Sequence, residues 1–279
     1  MKAAIIGLGR MGGPLVGHAV KAGIEVSAYD IADPAVKAAG EAGARVAASA
    51  VQAAEGADVV ALVVFDDKQV RDVLSGADGI LAVLRPGAVV AVHTTTSLQT
   101  ILDTAAESAA VGVEVLDAGI SGGEPGAQSG RLMTLVGGSA QAVEKARPLL
   151  DSYSKEVVHA GPLGAGMTLK LARNAAGYAL MVAAQEAMEL AATAGVDPAM
   201  VRHVLEATDT TGMLWAPFAL GGPTPLDADA PADLRARLEH TRDLGLKDLD
   251  QALALAENTS HPSAFLTAAR GAYPRSVRL

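Results

Sequence analysis

The sequence has no cysteine among its 279 residues, and only 3% of its residues are aromatic. The absence of cysteine excludes a disulfide framework, a thiol nucleophile and a cysteine-ligated metal. Half of the residues are nevertheless hydrophobic, so alanine, valine, leucine and glycine must form most of the core. Small side chains of this kind allow helices and backbones to pack closely. The length suffices for one large or two ordinary domains.

Positive charge and long apolar runs are also scarce. The 22 lysines and arginines are outnumbered by 31 aspartates and glutamates, and this acidic balance argues against nucleic acid as the main partner. The longest apolar stretch, residues 175–184, is too short to cross a bilayer. The first residues, MKAAIIGLGRMGG, predict a strand and a glycine turn rather than a secretory signal. We therefore expect a cytoplasmic protein without a membrane partner.

Strand-like apolar runs alternate with alanine-rich stretches over the first part of the chain, which predicts βαβ units and a mostly parallel sheet. The predicted strands are residues 3–6, 26–29, 59–64, 88–92, 113–116, 132–136 and 156–159. Residues 167–194 predict one long helix with little polar interruption, which we expect to be buried on most sides. Only helices and loops are predicted after it. The fold class is thus α/β over residues 1–162, followed by an all-α domain over residues 163–279.

The segment GLGRMG has the G-x-G-x-x-G spacing of a dinucleotide-binding turn between a strand and a helix. Asp30, eighteen residues after Gly12, ends the second predicted strand, where a carboxylate can accept hydrogen bonds from ribose hydroxyls and repel a 2′-phosphate. We therefore predict a Rossmann-type domain that prefers NAD to NADP. The alternative is a glycine turn beside a surface aspartate. The predicted cofactor residues here are Gly7, Gly9, Arg10, Met11, Gly12 and Asp30.

Two other segments could carry chemistry. The glycine-rich stretch DAGISGGEPGAQSG, residues 117–130, could be a plain turn or a cradle for an anion. In GPLGAGMTLKLARN, Lys170 and Asn174 are four residues apart and project from one face of the predicted long helix. Burial would lower the pKa of a lysine there and allow it to exchange a proton near neutral pH. The residues alone favour the alternative, a surface lysine whose stem lies along the helix.

Four segments occur in a fixed order along the chain: GLGRMGGPLVGHAVKAG, DAGISGGEPGAQSG, GPLGAGMTLKLARN and KDLDQALALAE. Together they resemble the signatures of the β-hydroxyacid dehydrogenases, a family that includes 3-hydroxyisobutyrate dehydrogenase and tartronate semialdehyde reductase. The resemblance extends over nearly the whole chain, and four ordered motifs are far more specific than any one of them. It implies a Rossmann-type domain followed by an all-α domain that is led by a long interdomain helix.

The resemblance also implies roles for individual residues. Lys170 would be the general acid/base and Asn174 its helper, while the hydroxyl and amide groups of residues 121–123 would bind the substrate carboxylate. Lys247 would reach the cofactor and substrate from the α domain, and Thr95 would lie beside the nicotinamide. No metal is implied. The catalytic set is therefore Lys170, Asn174, Ser121, Gly122 and Gly123, and the cofactor set gains Val64, Thr95 and Lys247.

The chain departs from the family pattern in several places. Val64-Phe65 replaces a frequent Leu-Pro pair, so the expected cofactor contact there is through the backbone, and His93 is expected to be structural. Arg173 could bind a second anionic group on the substrate or form a surface ion pair. Trp215 could line the pocket or anchor a core or interface. The C-terminal segment is expected to lack the final helix that relatives have.

The resemblance implies the NAD-dependent oxidation of a small 3-hydroxy acid, or the reverse reduction of a semialdehyde or oxoacid. It further implies a homodimer or homotetramer with a small carboxylate substrate. Three alternatives stay open: a 6-phosphogluconate dehydrogenase-like enzyme, an imine reductase-like enzyme, and an NAD(H)-binding regulator without turnover. Imine reductases usually lack a lysine at the position of Lys170, and a regulator needs no proton donor.

Overall fold

The computed structural model describes residues 1–76, 78–208, 216–217, 219–220 and 224–279. These residues form two compact units, Met1–Asn174 and Ala175–Leu279. The domain boundary expected after residue 162 precedes the long helix, whereas the two units divide within that helix. Trp215 lies outside the described residues.

An eight-stranded sheet organises the first unit, in the order β3-β2-β1-β4-β5-β6-β7-β8. Only the β6–β7 pair is antiparallel among these strands, which confirms the expected mostly parallel sheet. All seven predicted strands are present, and the eighth, β3, has two residues and no periodicity to reveal it. The strands are β1 Lys2–Ile6, β2 Glu25–Tyr29, β3 Arg45–Val46, β4 Val59–Leu62, β5 Val89–Val92, β6 Glu114–Ser121, β7 Leu132–Gly137 and β8 Ser154–Gly161.

Helices cover both faces of this sheet. They are α1 Gly12–Lys21, α2 Asp33–Glu41, α3 Ala50–Ala54, α4 Asp67–Ser75, α5 Leu98–Ala109, α6 Gly123–Gln128 and α7 Ala140–Tyr153, with a 3₁₀ turn at Ile80–Ala82. Side chains alternate across β1, so Ala3 and Ile5 join a core with α1 and α7, whereas Ala4 and Ile6 join a second core with α3, α4 and α5. The two apolar faces of the sheet are thus buried under separate helical layers.

The glycine-rich stretch from residue 117 is mostly regular structure. Residues 117–121 continue β6, which pairs with β7 as far as Ser121↔Met133, so this strand is longer than the predicted 113–116. On its other side β5 ends at Val92, which pairs with Asp117. The last four residues of β6 therefore extend beyond β5, and their backbone groups on that side have no strand partner.

The long predicted helix is α8, Ala165–Thr193, but the expectation that it is buried on most sides is wrong for this chain. Its only buried residues are Gly166, Met167 and Lys170, and Tyr178 and Met181 are 63% and 68% exposed. Apolar composition indicates that a helix needs cover, but it does not require that the cover come from the same chain.

The described part of the second unit is helical, with α9 Pro198–Ala207, α10 Ala232–Asn258 and α11 Ala264–Ser276. The expectation that the C-terminal segment lacks a final helix is wrong. Ser263 accepts a hydrogen bond from the Leu266 amide at 3.0 Å and caps α11, which continues in spite of Pro274 near its end. In the described ranges, no helix has the length and apolar character needed to cross a membrane.

Candidate active site

The glycine turn after β1 is shaped by two glycines that the backbone itself requires. Gly7 has φ of +90°, and a Cβ there would clash with the carbonyl of Val63. A Cβ on Gly12 would clash with the carbonyl of Gly7, so α1 can start this close to β1 only without a side chain. These two positions are explained by the fold alone.

Gly9 is different, because a Cβ built on it would meet no atom of the described residues within 4 Å. The open space lies beside the N-terminus of α1, where Met11 provides no side-chain cap and the first turn holds no acidic residue. The amide groups there are available to an anion, and the helix dipole favours negative charge. Gly9 therefore fits a backbone that a pyrophosphate approaches, and the turn fits a dinucleotide.

Asp30 has a second role that the sequence did not reveal. One carboxylate oxygen accepts a hydrogen bond from the Leu8 amide at 2.6 Å and the other from the Ala32 amide at 2.8 Å. The residue thus holds the glycine turn while remaining half-buried. Because a carboxylate oxygen can accept more than one hydrogen bond, Asp30 retains acceptor capacity for ribose hydroxyls.

Two contacts join the glycine turn and its helix to α6, which follows the Ser-Gly-Gly segment. The Nη1 of Arg10 lies 4.0 Å from Glu124 Oε2, although the arginine side chain is largely exposed. His18 on α1 places Nε2 3.1 Å from the carbonyl oxygens of both Ala127 and Gln128 at the end of α6. Sequence reasoning missed His18, since its partners are more than one hundred residues away.

The loops after β4 and β5 lie at the carboxyl edge of the sheet, next to the glycine turn in strand order. Thr94 Oγ1, in the loop after β5, donates to the carbonyl oxygen of Val64 at 2.9 Å. This bond holds the backbone of Val64, which is expected to contact the cofactor. Thr95 beside it is exposed, as a residue contacting a ligand at this edge would be without that ligand.

Lys170 is buried, with 9% of its surface exposed, so it does not follow the solvent-exposed alternative. Its Nζ donates to the carbonyl oxygen of Ile120 at 2.5 Å, on the part of β6 that extends beyond β5. The stem lies against Gly119, where a Cβ would come within 3.0 Å of the lysine Cβ and 3.1 Å of its Cγ. Burial, together with the positive charge of Arg173, lowers the pKa of Lys170.

Asp117 fixes the start of the helix that carries Lys170. Its fully buried carboxylate accepts from the amide of Gly164 at 2.7 Å and from the amide of Met167 at 2.5 Å. Burial raises the pKa of Asp117, although these backbone hydrogen bonds favour the charged form. Gly166 allows the start of α8 to lie close to the end of β7, because a Cβ on it would lie 2.6 Å from the Gly137 nitrogen. The sequence alone indicates no role for Asp117.

Ser121 ends β6, one residue after the carbonyl that holds Lys170. Gly122 and Gly123 follow with φ of +133° and +61°, conformations that favour glycine. Gly123 begins α6, so the amides here precede the first helical acceptors and are left without helical partners. The structure thus brings together residues 121–123 and Lys170, as expected.

Asn174 lies one turn after Lys170, and its Oδ1 accepts from Arg173 Nη1 at 3.3 Å. Among the described residues, no hydrogen bond joins Asn174 to Lys170; the ammonium is held by Ile120 instead. Lys247 belongs to the second unit, where it is exposed on α10 and pairs with Asp248 at 3.1 Å. Its expected contact with the cofactor stays a prediction.

His93 is buried at the end of β5. Its Nδ1 lies 2.5 Å from the carbonyl oxygen of Ala118, so that nitrogen donates, and the hydroxyl of Tyr153 donates to Nε2 at 2.9 Å. Burial lowers the pKa of His93 to about 4, although the Ala118 bond opposes this. No group of three or more acidic or histidine side chains in the described ranges could hold a metal ion.

Comparison with known proteins agrees with this architecture. Residues 2–161 match the family described as the NAD binding domain of 6-phosphogluconate dehydrogenase. A 3-hydroxyisobutyrate dehydrogenase from Pseudomonas aeruginosa is 36% identical over 255 residues, which cover 91% of this chain and 85% of that protein. The crystal structure of a provisionally named oxidoreductase from Mycobacterium avium 104 is 35% identical with a TM-score of 0.86, covering 99% of this chain and 98% of that one.

A more distant structure is an imine reductase from Myxococcus stipitatus, a V8 variant in complex with NAD⁺. It has a TM-score of 0.82 and covers 99% of this chain and 93% of its own, but is 20% identical. At that identity the likeness concerns the fold alone.

Proposed function

Since the chain belongs to the β-hydroxyacid dehydrogenase family of NAD-binding oxidoreductases, we propose that it oxidises a small 3-hydroxy acid with NAD, or reduces the corresponding semialdehyde or oxoacid. The observation that supports this most strongly is the environment of Lys170. A buried lysine is costly unless it is paired or functional, and this one ends beside the Ser121–Gly123 segment.

The substrate carboxylate would bind to the Ser121 hydroxyl and to the amides of Gly122 and Gly123, which have no helical acceptor of their own. NAD supplies the hydride acceptor. In oxidation, the neutral amine of Lys170 takes the proton of the substrate hydroxyl; in reduction, the ammonium returns it to the oxygen. Asn174 would orient the substrate oxygen from the next turn of α8.

The state of Lys170 suits this exchange. Burial and the neighbouring charge of Arg173 lower its pKa, so the amine is available closer to neutral pH than that of an ordinary lysine. An ammonium has three N–H donors, and the carbonyl of Ile120 accepts one of them. The remaining capacity can serve the substrate without any rearrangement of the strand.

We favour NAD over NADP because of Asp30, whose half-buried carboxylate would repel a 2′-phosphate. A kcat/KM for NADP equal to that for NAD would contradict this preference, and Asp30→Asn should narrow the difference between the two cofactors.

We further propose a homo-oligomer, a dimer or tetramer. The apolar side chains of α8 are the supporting observation, since Tyr178, Met181 and Leu180 are all left exposed by the single chain. Sedimentation velocity at micromolar concentration would test this, and a monomer would contradict it. The cytoplasmic location stays a prediction from the sequence.

The deciding experiment compares the rate of NAD reduction by the wild type with the rate by the Lys170→Ala variant. The substrates are 3-hydroxyisobutyrate, 3-hydroxypropionate, glycerate, 4-hydroxybutyrate, serine and 6-phosphogluconate. Loss of a general acid/base should lower kcat by roughly 10²–10⁴-fold, with NADH binding unchanged. Lys155→Ala, which removes an exposed lysine from β8, is the matched control. Methylamine should partly restore the Lys170→Ala variant, because alanine leaves space beside Gly119.

Each other outcome identifies an alternative. Turnover of 6-phosphogluconate alone would favour a 6-phosphogluconate dehydrogenase-like enzyme. Reduction of cyclic imines without turnover of any hydroxy acid would favour an imine reductase-like enzyme. NADH binding with no turnover at all would indicate a regulator. Unchanged kcat in Lys170→Ala would overturn the assigned role of the lysine.

A further inference from the structure

Arg173 is three residues after Lys170, so the two side chains project from the same face of α8. Its Nη1 donates to Asn174 Oδ1 at 3.3 Å, so the guanidinium contacts one of the two residues that carry the proposed chemistry. The guanidinium is otherwise exposed. A cation is therefore displayed at the edge of the site, next to the side chain that would orient the substrate.

In the part of the chain that the structure describes, no carboxylate lies within salt-bridge distance of Arg173, and its one hydrogen bond is to Asn174. On the same chain Arg202 pairs with Glu206 at 2.7 Å and Arg270 with Asp250 at 2.5 Å. The surface ion pair that would explain Arg173 without a ligand is thus not formed with any carboxylate of the described ranges.

The arrangement is also unfavourable by itself. Like charges three residues apart on a helix repel each other, and the charge of Arg173 contributes to the lowered pKa of Lys170. The chain has an excess of acidic residues, 31 against 22 basic ones, yet none of those in the described ranges forms an ion pair with either cation. An anion between solvent and the two cations would relieve this repulsion.

We propose that the substrate carries a second anionic group, a carboxylate or a phospho group, and that Arg173 binds it. This inference rests on the proposed function and specifies its substrate class. The Ser121–Gly123 segment takes the first carboxylate, Lys170 the hydroxyl, and the planar guanidinium binds the second anion through two parallel N–H groups. A dianionic hydroxy acid is then preferred to a monoanionic one of the same core.

The test uses substrates that differ only in the second anion. They are 3-hydroxyisobutyrate, 2-(hydroxymethyl)succinate, and the analogue of this succinate in which a phosphonomethyl group replaces the carboxymethyl group. Each is assayed with saturating NAD. In the wild type, one of the two dianionic acids should have a kcat/KM at least about tenfold above that of the monoacid, since a tenfold change corresponds to a modest charge-assisted contact. Whichever dianion is preferred identifies the second group as carboxylate or phospho.

Arg173→Gln should lower kcat/KM for the preferred dianion at least about tenfold more than it lowers kcat/KM for the monoacid, with each variant compared on the plateau of its own pH profile. Arg173→Lys keeps the charge but loses the planar pair of donors. Its kcat/KM for the dianion should therefore lie between those of the wild type and Arg173→Gln. Arg237→Gln, an exposed arginine on α10, is the control. Calorimetry of methylsuccinate and isobutyrate binding to the enzyme with NADH gives the same comparison without turnover.

The failures are distinguishable. No turnover of any hydroxy acid by the wild type would remove the proposed function. Turnover of the monoacid with no preference for a dianion, or a preference that survives Arg173→Gln, would overturn this inference alone. An equal loss for both substrates in Arg173→Gln would show that the arginine only positions Asn174, and would also overturn it.

Discussion

His93 and Lys170 both donate hydrogen bonds to the unpaired edge of β6, but they differ in the hydrogen-bonding groups that they have left over. His93 donates to the carbonyl of Ala118 and Lys170 to the carbonyl of Ile120, two residues further along β6. Both carbonyls lie where β6 extends beyond β5. Both side chains are buried, and burial lowers the pKa of each.

The difference lies in what remains free. His93 uses both ring nitrogens, because the Tyr153 hydroxyl occupies Nε2, so the neutral ring has nothing left to offer a substrate. Lys170 uses one of three donors and lies beside the Ser121–Gly123 segment. Burial alone therefore does not distinguish the two side chains; the unused donors of Lys170 beside the Ser121–Gly123 segment do.

The largest effect should come from Asp117→Ala, which removes the anchor of the lysine helix and leaves His93 untouched. Two buried amides, of Gly164 and Met167, would lose their acceptor, at a cost of roughly 1–3 kcal/mol for each. Misplacing Lys170 should also lower kcat about 100-fold. Urea unfolding and steady-state kinetics measure the two effects. Asp117→Asn keeps one acceptor and should lose less of both, and unchanged kcat in either variant would contradict the anchoring role.

Gly119→Ala should affect Lys170 more selectively. The new methyl group would lie 3.0–3.1 Å from the lysine stem, so the ammonium must shift by a few tenths of an ångström. We expect kcat to fall about tenfold with little change in the unfolding midpoint. Gly17→Ala is the control, because its Cβ would only touch Ala42 at 4.0 Å. A kcat equal to wild type would show that the position of the stem is unimportant.

His93→Asn tests the other side of the comparison. The pKa of His93 falls from the usual 6.5 to about 4 in the folded protein. Its contribution to stability is therefore complete above pH 6.5 and is lost as the pH falls toward 4, by about 3 kcal/mol in total. Asparagine does not titrate and can still donate toward Ala118. The wild-type loss between pH 6.5 and 4 should shrink by that amount in urea unfolding.

The control for this titration is His203→Asn, an exposed histidine on α9. If the pH dependence of stability is the same in His93→Asn as in the wild type, His93 does not remain neutral on folding.

The smallest effect expected is a shift of the pH profile in Arg173→Gln. Removing the neighbouring positive charge should raise the pKa of Lys170, since that charge contributes to lowering it. The pH at which oxidation reaches half its maximal kcat/KM should then move to a higher value, with Arg173→Lys remaining close to wild type. A shift to lower pH would contradict the placement of the two charges.

The parts of the fold that depend on local patterns were predictable from sequence. Alternating apolar runs located seven strands, and the spacing of Gly7, Gly9 and Gly12 located the dinucleotide turn. The resemblance to a family selected Lys170, whereas the residues alone favoured an exposed lysine. These features depend on chain neighbours or on motifs with fixed spacing.

The remaining features depend on contacts between distant parts of the chain. Asp117 meets the Gly164 and Met167 amides some fifty residues away, and His93 meets Tyr153 sixty residues away. No periodicity encodes such pairs. The exposure of Tyr178 and Met181 on α8 was missed for a related reason, because an apolar helix does not specify which chain covers it.

The most direct test of the account is the pH dependence of kcat/KM for wild type and His93→Asn, in both directions of the reaction. We predict that kcat/KM for oxidation rises with pH and kcat/KM for reduction falls, because Lys170 must be neutral for the first and protonated for the second. Both profiles should share a midpoint below the usual lysine value of about 10.4 and persist in His93→Asn. Disappearance of the titration in His93→Asn would contradict the account and assign the proton to the histidine.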